Sequence, residues 1–285
     1  MGSTIAFLNK KGGVGKSSAC HHLAGTLASG GRKILLADND PQASLTRGFF
    51  GPEATDRIGR TDSIAALYDP DFIPMPEALI RPSGIERIWI VPGSEHATRY
   101  NMIPPEGWAD HELGIREFVE EVRGEFDLIL IDCPPNLHLC SWAALAAADY
   151  LVIPVQAEDY GAQGISAVLA WTNKARTEVN PALACLGVLL TMYDKRLGIH
   201  LAYEGTLRDM LGENIFENTM PLAKDFKEAV ASRLPISHFK PKGVAGKATE
   251  AVAAELLERI AAREQERAAF RGGTAPQDGE RRIAS

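Results

Sequence analysis

Gly12-Gly13-Val14-Gly15-Lys16-Ser17 gathers more usable chemistry than any other six residues of this chain. Glycines without a Cβ let consecutive backbone N–H groups turn inward onto an anion, and the lysine and hydroxyl that close the run add a point charge and a metal ligand. The segment follows a short apolar run, Ile5-Ala6-Phe7-Leu8, and precedes residues 17–29, whose apolar positions recur at helical spacing. Strand, glycine turn and helix N-terminus in that order form a phosphate cradle, in which Lys16 reaches the terminal phosphates and Ser17 can hold magnesium. A turn kept glycine-rich for tight packing alone is the other reading, and the Gly-Lys-Ser ending argues against it. Asp38, Asp40 and Asp132 also lie at the ends of apolar runs. An aspartate there is commonly a turn former or helix cap. Position beside the glycine loop makes Asp40 and Asp132 candidates for phosphoryl-transfer chemistry, which needs charge neutralisation and positioning more than covalent catalysis, and leaves Asp38 in a supporting place.

The elements that must hold these groups are legible as short apolar runs at residues 33–37, 128–131, 150–155 and 186–191, apolar throughout or nearly so, as strands covered on both faces require. Helical spacing intervenes at residues 114–123, 161–178 and 201–211. The alternation predicts an α/β fold, a doubly wound and mostly parallel sheet flanked by helices, with its ligand at the carboxyl ends of the strands. Residues 51–105 hold eight of the seventeen prolines and one convincing strand, 87–91, and read as an irregular excursion from the sheet. Residues 246–270 read as a helix with an apolar face of Ala248, Val252, Leu256, Leu257, Ile260 and Ala261. Residues 271–285 have no periodic apolar pattern and read as a disordered tail behind a single domain spanning 1–270.

A chain of 285 residues, 45% apolar and 24% charged, buries a sizeable core. Its formal charge of −7 is the wrong sign for a protein coated in nucleic acid, so any DNA contact must be a local patch. The four cysteines, at 20, 133, 140 and 185, form no C-x-x-C pair, and no zinc-finger histidine spacing accompanies them, which favours reduced cytosolic thiols over a disulfide scaffold or structural zinc. The longest apolar stretch, 143–155, is interrupted by Asp149 and falls short of the ~20 residues that cross a bilayer. The N-terminal run lacks the architecture of a signal peptide, and the expected location is cytoplasmic.

The strict P-loop pattern places a glycine five residues before Gly15, where this chain has Lys10, and adds no lysine equivalent to Lys11. Lys11-Gly12-Gly13-Val14-Gly15-Lys16-Ser17 resembles instead the deviant Walker A loop of the ParA/MinD family of ATPases. The likeness extends over roughly residues 3–260 and includes Asp38-Asn39-Asp40-Pro41-Gln42, the strand Phe126–Asp132 with Cys133-Pro134-Pro135 behind it, and Ile153-Pro154-Val155-Gln156. The resemblance implies a P-loop NTPase that takes ATP and Mg2+. It implies a cradle of Lys11, Gly12, Gly13, Val14, Gly15, Lys16, Ser17 and Ser18, with Lys11 crossing a homodimer interface to the partner's nucleotide. Asp40 would orient the attacking water and Asp132 would hold magnesium through water. By the same resemblance Met192 and Pro221 lie around the adenine, although Leu222-Ala223 stand where the family often has Arg-Asn, and Met192 reads equally well as core.

What separates relatives of this fold is also readable. The chain ends Gly279-Glu280-Arg281-Arg282-Ile283-Ala284-Ser285, with no amphipathic MinD-type helix to insert in a membrane, and its cysteines do not match the cluster ligands of iron–sulfur relatives. The first strand begins at residue 3, and operator binding by an N-terminal helix-turn-helix domain is not expected. The window Lys224–Lys247 carries a net +4. Arg196 matches an arginine the family uses for DNA, Lys224 and Lys227 belong to the basic window, and Leu222 replaces a second family arginine. A solvated basic face is the alternative. The expectation is a nucleoid-associated partition ATPase that forms an ATP-sandwich dimer, binds DNA non-specifically and is stimulated by a ParB-like partner. A positioner of protein cargo is the alternative, and a MinD-like division regulator is disfavoured.

Overall fold

Apolar residues on both faces of a short strand force a layer of helices onto each side of the sheet. In the computed structural model, which describes residues 2–72, 74–103, 107–109, 111–157 and 161–271, that is the arrangement. The strands are β1 (Ser3–Phe7), β2 (Ile34–Asp38), β3 (Arg81–Pro82), β4 (Ile88–Val91), β5 (Leu128–Asp132), β6 (Tyr150–Gln156) and β7 (Ala184–Thr191). They form one sheet in the order β3-β4-β2-β5-β1-β6-β7, parallel at every pair except β3–β4. Side chains alternate between two cores, as the strand period of two demands. Ile5, Phe7, Ile34, Leu36, Leu128 and Leu130 face one layer, and Ala6, Leu8, Leu35, Ala37, Ile129 and Ile131 the other.

The long helices are α1 (Lys16–Ser29), α6 (Gly114–Val122), α7 (Leu139–Ala147), α8 (Gly161–Glu178), α9 (Gly198–Leu211), α10 (Lys224–Ala231) and α12 (Val244–Arg271). Shorter ones are α2 (Ser44–Phe50), α3 (Pro52–Thr55), α4 (Pro76–Leu79), α5 (Thr98–Asn101) and α11 (Ile236–Phe239). α12 is tied to the edge of the sheet by Arg259, whose guanidinium donates to the carbonyls of Leu186, Glu213 and Ile215 at 2.7–2.9 Å while pairing with Glu255 at 2.9 Å. The region 51–105 corrects the sequence expectation in part. Its described residues fold into short helical turns and two paired strands, and β4 sits inside the sheet, not apart from it. Two of its prolines, Pro52 and Pro76, start turns of helix at α3 and α4, because a fixed φ suits a first helical position. Two helices were not evident from the sequence. α7 is apolar all round and therefore shows no periodicity, and α10 is too short for its period to stand out. The expected tail, 271–285, lies beyond the described residues except for Arg271.

α1 carries two buried histidines on the side facing α2, α10 and α11. The His21 ring lies 4.3 Å from Phe49 and 4.9 Å from His22, which itself lies 4.7 Å from Phe226 (ring centroids). His22 Nδ1 accepts the Ile236 N–H at 3.1 Å, whereas among the described residues neither nitrogen of His21 makes a well-formed hydrogen bond. Burial depresses the His21 imidazolium to about 4 and puts His22 well below its usual value. An unfolded chain protonates these rings near 6.5, so between that pH and about 4 the unfolded state binds more protons and stability falls as the pH falls. Thermal melts should therefore show wild-type protein losing about 2 kcal/mol to His21 alone between pH 7 and pH 5. His21→Leu should make that decline shallower; an unchanged slope in the variant contradicts the account.

Candidate active site

Strand register brings the acidic residues to one end of the sheet. Phe7 pairs with Asp132 and Asp132 with Asp38, so the loop after β1 emerges beside the last residues of β5 and β2. Asp132 is fully buried, and among the described residues neither of its carboxylate oxygens makes a well-formed hydrogen bond. Burial drives its carboxyl well above the usual range, the neighbouring Asp38 adds to this, and Ser17 and Lys16 oppose it. Asp38 differs in being satisfied. Its Oδ2 accepts the Thr46 N–H at 2.7 Å and the Thr46 hydroxyl at 2.6 Å, and that hydroxyl in turn accepts the Gly93 N–H at 2.8 Å. Burial still lifts the Asp38 carboxyl to about 7. Asp40, nearly buried, accepts the Gln42 N–H at 2.9 Å and is likewise raised by burial.

Facing this cluster is the glycine loop. Gly13 and Gly15 have φ of 76° and 80°, the left-handed region that costs glycine nothing and other residues strain. The loop is pinned from below by Asn9, whose Nδ2 donates to the Pro154 carbonyl at 2.7 Å while Oδ1 accepts the Lys11 N–H at 3.0 Å. From the side, the Thr191 hydroxyl lies 2.7 Å from the Val14 carbonyl. The Lys16 ammonium is buried and donates to the Lys11 carbonyl at 3.0 Å. Desolvation lowers its pKa, and the charge of Asp132, Cys133 and Asp40 works the other way. Among the described residues no group of three or more His, Cys, Asp and Glu side chains could hold a metal by itself. A hard divalent ion here would need oxygens from a bound phosphate, as magnesium sites commonly do.

Next to the loop opens a cavity of about 510 Å³, lined among others by Gly15, Ser18, Thr191, Met192, Met220, Pro221 and one face of α10. Met192 is not core. It is partly exposed, has φ of 49°, and its sulfur receives the Gln156 Nε2 at 2.7 Å. Met192 and Pro221 thus share one pocket with Gly15 and Ser18, because β7 and residues 220–222 run side by side, joined by Tyr193 N–H to the Met220 carbonyl at 3.0 Å and Leu222 N–H to the Tyr193 carbonyl at 2.9 Å.

The basic residues are less of a patch than their sequence window suggests. Arg196 is exposed but holds Asp194 bidentately at 2.8 and 2.9 Å, keeping that carboxyl down at about 2. Lys224 pairs with Glu228 at 3.0 Å and Lys240 with Asp225 at 3.1 Å. Lys227, one turn on from Lys224, lines the cavity. Sequence reading missed Asn9, Thr46 and Tyr68. Tyr68 donates to Asn39 Oδ1 at 2.6 Å, and Asn39 Nδ2 donates to the Cys140 carbonyl at 2.7 Å, which fixes the residue between Asp38 and Asp40. Only Asn9, a polar residue directly after an apolar strand, carried any local signal.

Residues 2–185 match a family model described as an AAA domain. The chromosome partitioning protein ParA of Myxococcus xanthus is 32% identical over 259 residues, covering 91% of this chain and 89% of the relative. The sporulation initiation inhibitor protein Soj of Bacillus subtilis is 31% identical over 244 residues, covering 85% and 93%. Among solved structures, an ATP complex of McdA from Cyanothece has a TM-score of 0.77 at 18% identity, covering 91% of this chain and 96% of that one. Cobyrinic acid a,c-diamide synthase from Mycobacterium smegmatis with a bound ATP analogue and magnesium has a TM-score of 0.76 at 22% identity, covering 91% and 96%. The structural likenesses carry the fold, the sequence likenesses carry more, and together with the glycine loop and its carboxylates they show that the chain belongs to the ParA/MinD family of P-loop ATPases.

Proposed function

We propose that this protein is an ATP-dependent positioning ATPase of the partition type, working as a nucleotide-sandwiched homodimer. The observation that carries the reading is the buried Asp132 carboxyl, which makes no well-formed hydrogen bond among the described residues, beside Ser17 and the Lys16 ammonium at the mouth of the glycine loop. A buried ionised carboxylate left alone costs several kcal/mol; a site built this way is completed by a cation and an anion arriving together. Mg2+ held by Ser17 and, through water, by Asp132 would supply charge neutralisation to the phosphates of ATP. Lys16 exchanges the Lys11 carbonyl for phosphate oxygens. Asp40, whose raised pKa reflects burial and whose Oδ1 is fixed by the Gln42 N–H, orients the attacking water. Lys11 reaches the nucleotide of the second protomer, adding positive charge to a transition state that needs it.

The names of the relatives support chromosome partition, and with it non-specific DNA binding through Arg196 and Lys224, stimulation by a ParB-like partner, and residence on the nucleoid. No helix among the described residues is long and apolar enough to cross a membrane. Positioning of a protein cargo is favoured instead by the acids that pair with Arg196, Lys224 and Lys240 and by the exposed Leu222 in place of a family arginine.

Two sets of variants test the chemistry and the assembly. Lys16→Ala should abolish ATP binding, whereas Asp40→Ala should bind ATP and hydrolyse it at least about 100-fold more slowly; normal turnover in Asp40→Ala removes the residue from its role. Gly12 is exposed, and a Cβ there would meet only Pro135, at 3.7 Å. Gly12→Val should therefore fold normally, bind ATP and remain a monomer by light scattering, because its branched side chain intrudes only where two subunits meet. An ATP-dependent dimer of this variant contradicts the sandwich.

DNA binding is read from the ATP-locked Asp40→Ala protein on random-sequence duplex at two salt concentrations. Affinity should fall steeply with salt, and Arg196→Glu should lower the salt slope by about one for each phosphate that the arginine neutralises. Absence of binding at low salt selects the protein-cargo reading.

A further inference from the structure

A buried amide stands just past the carboxyl end of β2, where the strand pattern calls for an apolar side chain. Leu35 and Ala37 face the core that contains Tyr68, Tyr100 and Leu139, and Ile34 and Leu36 face the other. Asn39 continues the first of these stripes. Its Oδ1 accepts the Tyr68 hydroxyl at 2.6 Å and its Nδ2 donates to the Cys140 carbonyl at 2.7 Å, so both ends of the amide are used inside that core. Asn39 and Tyr68 are fully buried. An amide and a phenol taken out of water recover little beyond what their own hydrogen bonds return, whereas two apolar side chains would fill the space without that cost. The pair is explained instead by what it joins. Tyr68 closes a 3-10 turn, Ile64–Tyr68, moored by the Ile64 N–H to the Pro92 carbonyl at 2.8 Å behind β4, and its ring stacks on Tyr100 at 5.7 Å. Cys140 lies in the first turn of α7, after the loop that leaves Asp132. Asn39 sits between Asp38 and Asp40, and its N–H donates to the Asp132 carbonyl at 2.9 Å.

We infer that Asn39 and Tyr68 are positioning residues for hydrolysis: phenol and amide together fix the backbone that carries Asp40 against α7 and against the strand that ends in Asp132. The inference rests on Asp40 orienting the attacking water, as proposed above. β2 ends at Asp38, and the chain then turns, with the Ala43 N–H returning to the Asp40 carbonyl at 2.8 Å and the Gln42 N–H to Asp40 Oδ1 at 2.9 Å. Those bonds shape the turn but are internal to it and move with it. The Asn39 side chain ties the turn to the body of the fold, one residue from the carboxylate. Misplacing a reacting group by about 1 Å costs on the order of 100-fold in rate, and an Asn39 amide free to shift permits that displacement while leaving the glycine loop, which is built on other elements, intact. The phenol matters because it holds the amide in its orientation. Without it Asn39 Oδ1 loses its donor inside an apolar core, a loss relieved only if the amide moves.

The experiment measures the ATP dissociation constant, turnover with magnesium and melting temperature for the full chain and for Tyr68→Phe, Asn39→Leu, the two combined, and Tyr100→Phe. Tyr68→Phe should lower kcat about tenfold and Asn39→Leu further, each with an ATP dissociation constant within about twofold of wild type. Both should also melt lower, since each leaves a buried polar group without its partner. The combined variant, which removes both groups, should regain melting temperature but not turnover. Tyr100→Phe is the control, because its hydroxyl lies in the same core and makes no well-formed hydrogen bond among the described residues; its turnover should match wild type. Wild-type turnover in Tyr68→Phe, equal slowing in Tyr100→Phe, or turnover that recovers together with stability in the combined variant overturns the positioning role and leaves the proposed function standing. ATP binding that weakens in step with turnover does the same, since it marks collapse of the whole site. A wild type that binds ATP without hydrolysing it overturns the proposed function and this inference with it.

Discussion

Ionisable groups held out of water with few well-formed internal partners are the constraint around which the rest of this molecule is arranged. The carboxylate of Asp132 and the ammonium of Lys16 are both buried at the carboxyl end of the sheet, and Lys16 makes do with a backbone carbonyl. Removing such groups from water costs several kcal/mol each. The fold sustains the cost through two apolar cores, one on each face of β1, β2 and β5, in which fully burying a Leu, Ile or Phe side chain contributes about 1.5–3 kcal/mol. The strain is local and the stabilisation is distributed, a division that lets the site stay primed for an ion and an anion.

The loops around those charges are held by small polar side chains acting on backbone. Asn9 spans from Lys11 to Pro154, Thr191 reaches Val14, and Thr46 links Asp38 to Gly93. Tyr68 adds a connection from the proline-rich region to Asn39, so residues 51–105 are part of the framework behind Asp40. On the other flank, α10 carries two lysines one turn apart, Lys224 and Lys227. One faces solvent and an acid, and the other faces the apolar cavity.

The sequence by itself determined the glycine loop, the strands and most long helices, because each is encoded locally. Glycines at 13 and 15 are needed for positive φ, the runs at β1, β2, β5 and β6 are apolar at nearly every position, and α8 repeats its apolar residues at helical spacing. Asp40 and Asp132 were legible for the same reason, as acids placed where such strands end.

Tertiary structure alone decided which polar groups meet and which charges are free. Nothing local shows that Asp38 is satisfied by Thr46 while Asp132 makes no well-formed hydrogen bond among the described residues, since that follows from the register of β2 against β5 and from α2 folding back over the strand end. The basic window Lys224–Lys247 counts as +4 in one dimension, yet packing commits Lys224 and Lys240 to nearby acids and turns Lys227 to a cavity built from β7 and α10. Charge along a chain is a sum, whereas charge available to a ligand depends on desolvation and on neighbours within a few ångströms, and only the folded geometry sets those.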